Sequence, residues 1–265
     1  MWERVGSFFP SLQSSRRPDL NRKGTEIVTD YSVIMFDLDG TLLPMDQEQF
    51  TRAYFKELCR KICPYGYRPE ALTEGIWKGT EAMVANDGEK TNKEVFWDAF
   101  SAVMGQEIRL LEGTLDSFYR NEFRALKTVT RENPNAAKAV AAAKKLGCIA
   151  VLATNSIFPL CAVETRLSWI GLAPGDFSYV TTYENFHSCK PNPRYYREIL
   201  ARLNVRPGGC LMIGNDVAED IEACRTAGIQ SFLVTDCLLD RGADLSDIRK
   251  GTFAELLNEL SAEKG

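Results

Sequence analysis

Val33-Ile34-Met35-Phe36-Asp37-Leu38-Asp39-Gly40-Thr41-Leu42 is an apolar run that stops at two aspartates and a Gly-Thr pair. Large and β-branched side chains dominate the lead-in from Tyr31 to Met35, the composition of a strand buried in a parallel sheet. The aspartates then fall at its carboxyl end, where open α/β sheets place their ligands. Side chains two apart leave a strand on the same side, so Asp37 and Asp39 can face one reacting atom. Gly40 permits the sharp turn that a Cβ would obstruct. Asp-Gly-Thr is also ordinary turn chemistry, so this stretch alone does not make a site.

Three further stretches follow in order. A second apolar strand, Cys148-Ile149-Ala150-Val151-Leu152-Ala153, ends in Thr154-Asn155-Ser156. Lys190 stands in Ser188-Cys189-Lys190-Pro191-Asn192-Pro193. A third strand, Cys210-Leu211-Met212-Ile213, ends in Gly214-Asn215-Asp216, with Asp220 four residues on. Each is weak alone: Lys190 reads equally as a solvated lysine before a proline, and Asp216, Glu219 and Asp220 as dipole matching in a helix's first turn. Together, ordered and set on strand ends, the four stretches resemble motifs I to IV of the haloacid dehalogenase (HAD) superfamily, and within it the phosphoglycolate-phosphatase-like members.

The rest of the chain agrees with a soluble enzyme. Its 265 residues suggest one or two domains with a sizeable core. A net charge of −4 argues against a dedicated nucleic-acid surface, and no apolar run approaches the length of a membrane span. Of eight cysteines, only Cys59 and Cys63 are close together, and a lone pair cannot supply a structural zinc site. Reduced thiols, and with them a cytoplasmic location, are the expectation. The single histidine, His187, is read as a loop residue; a serine or cysteine hydrolase would depend on that one imidazole.

Residues 1–29 read as a loose N-terminal extension without catalytic groups. Between Asp37 and Thr154 helical spacing predominates: 47–62, 71–84, 92–104 with Asn92 as its cap, and 115–126. Asn133-Pro134 opens an alanine-rich helix that ends with Lys144, Lys145 and Gly147, the expected stop signal. Helices over 157–170, 193–203, 217–227 and 252–260 then alternate with strands near 177–181, 209–213 and 229–234, which implies a parallel sheet with right-handed crossovers. The expected architecture is an α/β, Rossmann-like core of the HAD fold, residues 30–45 and 131–265. The all-helical insertion, 46–130, resembles a C1 cap domain in position and helicity.

The resemblance implies a chemistry that the residue types can perform. Asp37 would attack phosphorus and form an aspartyl-phosphate. Asp39 would protonate the leaving alkoxide and later take a proton from the hydrolytic water; dehalogenases resemble Asp-x-Tyr at this station. Mg²⁺, which prefers hard oxygen ligands, would be held by the Asp37 carboxylate, the Asp39 carbonyl and Asp216, with Asp220 and Thr41 behind them. Thr154 and Asn155 would bind phosphoryl oxygens near a helix N-terminus, and Lys190 would add a positive charge.

The expected function is Mg²⁺-dependent hydrolysis of a small-molecule phosphate monoester. A sugar phosphomutase, a phosphonate hydrolase using a cap lysine, and a regulatory protein on a silent core stay open as alternatives. Arg52, Lys56, Lys78 and Arg120 are candidate contacts for an anionic substrate, or else solvated surface charges. Substrate identity and oligomeric state have no legible motif.

Overall fold

The computed structural model describes residues 31–262; the expectation for residues 1–29 lies outside them. Among the described residues six strands form one parallel sheet. In chain order they are β1 Val33–Phe36, β2 Ile149–Leu152, β3 Tyr179–Val180, β4 Cys210–Gly214, β5 Gln230–Val234 and β6 Lys250–Gly251, arranged 3-2-1-4-5-6. β1 is central. Phe36 stands beside Leu152 of β2 and Ile213 of β4, so the carboxyl ends of three strands finish level with one another.

Every residue of β1 is buried, as the uninterrupted apolar run requires of a strand covered on both faces. Its alternate side chains feed two different cores. Ile34 and Phe36 pack with the helices on one face, Val33 and Met35 with Tyr195, Tyr196 and Cys224 on the other. Burying such a side chain contributes about 1.5–3 kcal/mol, so this strand is fixed firmly before its two aspartates are placed.

After β1 the chain forms a helical insertion with α1 Gln47–Ile62, α2 Pro69–Val84, α3 Asn92–Met104 and α4 Glu112–Arg120. The two ends of this insertion meet. Met45 bridges to Thr130, and the Arg131 amide donates to the Pro44 carbonyl at 2.8 Å. α5 Ala136–Lys145 then leads into β2 and closes at Gly147, whose φ of +83° suits glycine. α6 Leu160–Ser168, α7 Pro193–Leu203, α8 Ala223–Thr226 and α9 Phe253–Ser261 complete the chain.

Several local expectations shift. Asn92 does not cap α3; Thr91 does, in a reciprocal box with Glu94. Asn92 turns inward instead, and its amide donates to Ser156 Oγ at 3.0 Å and the Ser188 carbonyl at 3.2 Å. The helix read over 115–126 is divided: α4 stops at Arg120, and a tighter 3₁₀ run follows over Glu122–Val129. The helix after β4 begins with a wide π-type turn, Val217–Glu222, a geometry that often accompanies functional sites. β6 has only two residues, Lys250 and Gly251, and no periodicity to read.

Candidate active site

The carboxyl ends of β1, β2 and β4 form the floor of one cavity, and α1, α2, α3 and α4 line its walls. Asp37, Asp39, Thr154, Asn155 and Asp216 all face it. The sequence-derived residues therefore converge, from stretches up to 179 positions apart.

Asp37 directly continues β1, and its amide still donates to the Ile213 carbonyl of β4 at 2.9 Å. Asp37 is nearly sealed from solvent, at 7% exposure. Lys190, wholly buried beneath it, donates to Asp37 Oδ1 at 2.9 Å and to Asp220 Oδ1 at 2.6 Å. Burial opposes the lysine's charge, but Asp220 and Asp37 outweigh it and hold its pKa well above the usual value. Burial raises the Asp37 carboxyl above its ordinary range, with Lys190 pulling the other way.

Asp220 is placed by the backbone. Its Oδ2 accepts from the Asn215 and Asp216 amides at 3.0 and 3.1 Å. This brings it against β4 so closely that a Cβ on Gly214 would lie 2.2 Å from the Asp220 carboxyl carbon. Gly40 is constrained twice over. Its φ is +93°, and a Cβ there would meet the Asn215 amide nitrogen at 2.3 Å. Asn215 also accepts the Thr41 hydroxyl at 2.9 Å; Thr41 thus ties the β1 turn to β4 rather than bonding Asp37 directly.

Thr154 is fixed through its carbonyl, which accepts from Tyr195 Oη at 2.7 Å and Thr181 Oγ1 at 2.6 Å. Its hydroxyl has no partner among the described residues. The expected helix N-terminus beside it is absent: α6 begins only at Leu160, and a turn fills the interval. The Asn155 side chain is spent on the protein, donating to Glu219 Oε2 at 3.0 Å and accepting from the Lys190 amide at 3.2 Å. This leaves the Asn155 N–H, without a backbone partner among the described residues, as the group able to meet a ligand.

Two arginines at the site were not read from the sequence. Arg166, on α6, is completely buried, bonds Asp39 Oδ2 and lies 4.4 Å over the Phe158 ring. Asp39 Oδ1, by contrast, is buried with no partner among the described residues. The signal for Arg166 was there: it follows Ala162 and Val163 by one helical turn, so a charge falls on the apolar face. Arg241, on the loop after β5, clasps both Asp216 oxygens at 2.6 Å. Its pattern-free loop gave no signal.

His187 is half-buried and bonds Glu198 Oε1 at 2.9 Å. All eight cysteines are free thiols. Arg52, Lys78 and Arg120 pair with exposed glutamates, and like Lys56 they do not line the cavity. No described helix is long and apolar enough to cross a membrane.

No three His, Cys, Asp or Glu side chains converge as ligands among the described residues. Two carboxylates, Asp37 and Asp216, do face the same space, and the Asp39 carbonyl lies between them in sequence. Burial raises Glu219 to about 8, aided by Asp216, and raises Asp220 to about 7 against Lys190. That excess of packed carboxylate favours a cation, and an all-oxygen set with few protein ligands suits Mg²⁺. Arg241, half exposed, would have to release at least one Asp216 oxygen.

Comparison with known proteins identifies the family. The profile of the haloacid dehalogenase-like hydrolases matches residues 31–228. The phosphoserine phosphatase of Thermus thermophilus is 27% identical over 253 residues, covering 84% of this chain and 97% of that protein. The phosphoglycolate phosphatase of Aquifex aeolicus is 25% identical over 234 residues, covering 84% and 99%. Among solved structures, a HAD phosphatase from Thermococcus onnurineus superposes with a TM-score of 0.56 at 18% identity, over 88% of this chain and all of that one. With three-quarters of its length inside the family profile and the four motifs gathered at one sheet edge, the chain belongs to the haloacid dehalogenase-like hydrolases.

Proposed function

We propose that the protein is a Mg²⁺-dependent phosphatase that hydrolyses a small phosphate monoester through an aspartyl-phosphate on Asp37. The observation that carries this reading is the placement of Asp37 and Asp39 on one cavity floor, with Lys190 bonded beneath Asp37. The phosphatase relatives support the same reaction class.

Lys190 holds Asp37 Oδ1, which leaves Oδ2 to attack phosphorus in line with the departing oxygen. A phosphoryl group brought against a carboxylate meets like-charge repulsion, so cationic groups must offset it. Lys190 supplies one fixed charge. The Asn155 N–H and the Thr154 hydroxyl would bind peripheral phosphoryl oxygens. Mg²⁺, held by the Asp37 and Asp216 carboxylates and the Asp39 carbonyl, would supply further neutralisation of the transferring group.

Asp39 is built for proton transfer. Arg166 anchors Oδ2, so Oδ1 is the atom that carries the proton to the leaving alkoxide. After that oxygen has left, the same atom takes a proton from the water that attacks the aspartyl-phosphate. A leaving halide needs no such proton, and a carboxylic acid at this position favours phosphatase over dehalogenase chemistry.

The helical segment 46–130 acts in this reading as a cap over the core, 30–45 and 131–265. It roofs the cavity with aromatic side chains and excludes polymers, which favours a small metabolite. A phosphonate hydrolase would need a lysine in this wall, and none lines the cavity among the described residues. Phosphate release from para-nitrophenyl phosphate tests the reading. Release is expected with wild type and Mg²⁺, and not with Asp37→Asn or with chelator. Equal release by Asp37→Asn would overturn it.

A further inference from the structure

Both anchored and free ends of a substrate must fit the same cavity, and its two ends differ in kind. The floor is polar and ionic. The wall built by α1, α2 and the turn after β2 is aromatic and continuous. Trp77 packs on Phe55 at 5.6 Å, Phe55 on Tyr54 at 5.2 Å, and Tyr54 on Phe158 at 5.9 Å. Phe158 in turn covers the Arg166 that bonds Asp39. An aromatic path thus runs from the outer wall to the residue that faces the leaving group.

Among the residues that line this cavity, every carboxylate- or cation-bearing side chain is an acid. Asp37, Asp39, Asp216, Glu219 and Asp220 line the floor, Glu112 and Asp116 line the side, and no lysine or arginine lines the cavity among the described residues. The cations nearby are already committed: Lys190 to Asp37 and Asp220, Arg166 to Asp39, Arg241 to Asp216, and Lys93 to Glu112 at 2.6 Å. Asp116 is exposed and forms no ion pair among the described residues; it accepts from the Cys161 thiol at 3.9 Å and helps hold the charge on Lys93, whose ion pair is with Glu112. A carboxylate on the leaving group would be desolvated against rings, without a partner, and facing Asp116, while Lys93 on that side is paired with Glu112.

We infer that the physiological substrate is a phosphate monoester whose alcohol or phenol portion is apolar, of aromatic size and free of anionic groups. Phosphorylated hydroxy acids and phosphorylated amino acids are therefore poor substrates, in contrast to the names carried by the relatives. This inference rests on the phosphatase reading. It assigns Phe55, Trp77 and Phe158 to leaving-group contact, by π-stacking and area burial, and Asp116 to rejection of anions.

The test compares phenyl phosphate, 4-carboxyphenyl phosphate and phosphoglycolate, by kcat/KM, in wild type and Asp116→Arg. The carboxyl substituent makes the phenolate a better leaving group, so chemistry alone favours the carboxylated ester. Wild type is nevertheless expected to prefer phenyl phosphate by about tenfold or more, the cost of one unpaired carboxylate. Asp116→Arg, a change at an exposed position, is expected to narrow that gap through KM. Binding gives a second readout: Asp37→Asn, followed by tryptophan fluorescence, is expected to bind phenylphosphonate more tightly than phosphonoacetate. Equal or better use of 4-carboxyphenyl phosphate or phosphoglycolate by wild type overturns the inference and leaves the phosphatase reading standing. Absence of Asp37-dependent release from every ester overturns the reading and the inference together.

Discussion

The Lys190 ammonium, with no exposure of its own, donates to the Asp37 carboxylate at 2.9 Å. Asp220 takes the same ammonium at 2.6 Å, so one buried cation serves two buried acids. Removing it leaves both carboxylates uncompensated, a change that costs about 3–5 kcal/mol in comparable buried pairs. Lys190→Met is expected to lower the urea midpoint accordingly and to abolish turnover. A midpoint within the error of wild type would show that the pair contributes little.

Arg166 and Asp39 make the second such contact. Arg166→Met is expected to reduce kcat about 100-fold, the scale of misplacing a reacting group by an ångström, while KM changes little. Arg166→Lys, which keeps the charge, is expected to recover part of that loss. Near-ultraviolet circular dichroism distinguishes loss of position from loss of fold. Unchanged kcat in a folded Arg166→Met would remove Arg166 from the positioning of Asp39.

Gly214 is a steric prediction. A Cβ there would sit 2.2 Å from the Asp220 carboxyl carbon, which cannot retreat without breaking its bonds to Lys190 and two backbone amides. Gly214→Ala is expected to destabilise by about 1–3 kcal/mol and to lower activity more than an alanine placed at exposed Gly113. Thermal unfolding and initial rates measure the two effects.

Burial raises Asp220 to about 7 and Glu219 to about 8. In the unfolded chain these carboxyls titrate near 4, so between those values the folded protein binds more protons. Their contribution to stability is full below the unfolded pKa and is lost as pH rises through 7 to 8. The metal-free protein is expected to melt at a lower temperature at pH 9 than at pH 6, with a smaller drop in Glu219→Gln. Mg²⁺ is expected to raise the melting temperature of wild type, and of Asp216→Asn much less. Identical pH dependence in Glu219→Gln and wild type would contradict the assignment.

Much of this was legible because strand chemistry is local. The apolar run Val33–Phe36, its two aspartates and the strand ends at Thr154 and Asp216 carry their own signals, and parallel pairing gathers them without further information. Lys190 was legible only by its place in the motif order; its bonds to Asp37 and Asp220 depend on tertiary packing. Arg166 was visible as a charge on an apolar helix face but lacked a partner until α6 was set against β1. Asn92 misled because a capping residue type stood one position after the true cap. The π-type turn at Val217–Glu222 has no period to announce it, and Arg241 sits on a loop whose path is set by Asp216 and Leu239.

The proposed covalent step on Asp37 is the centre of the proposed mechanism, and acid quenching tests it directly. Wild type turning over para-nitrophenyl phosphate with Mg²⁺ is quenched within the first turnovers, digested, and mapped for phosphorylated peptides. Phosphate is expected on the peptide that contains Asp37, in wild type and not in Asp37→Asn. Turnover accompanied by phosphate on a different residue would contradict Asp37 as the nucleophile.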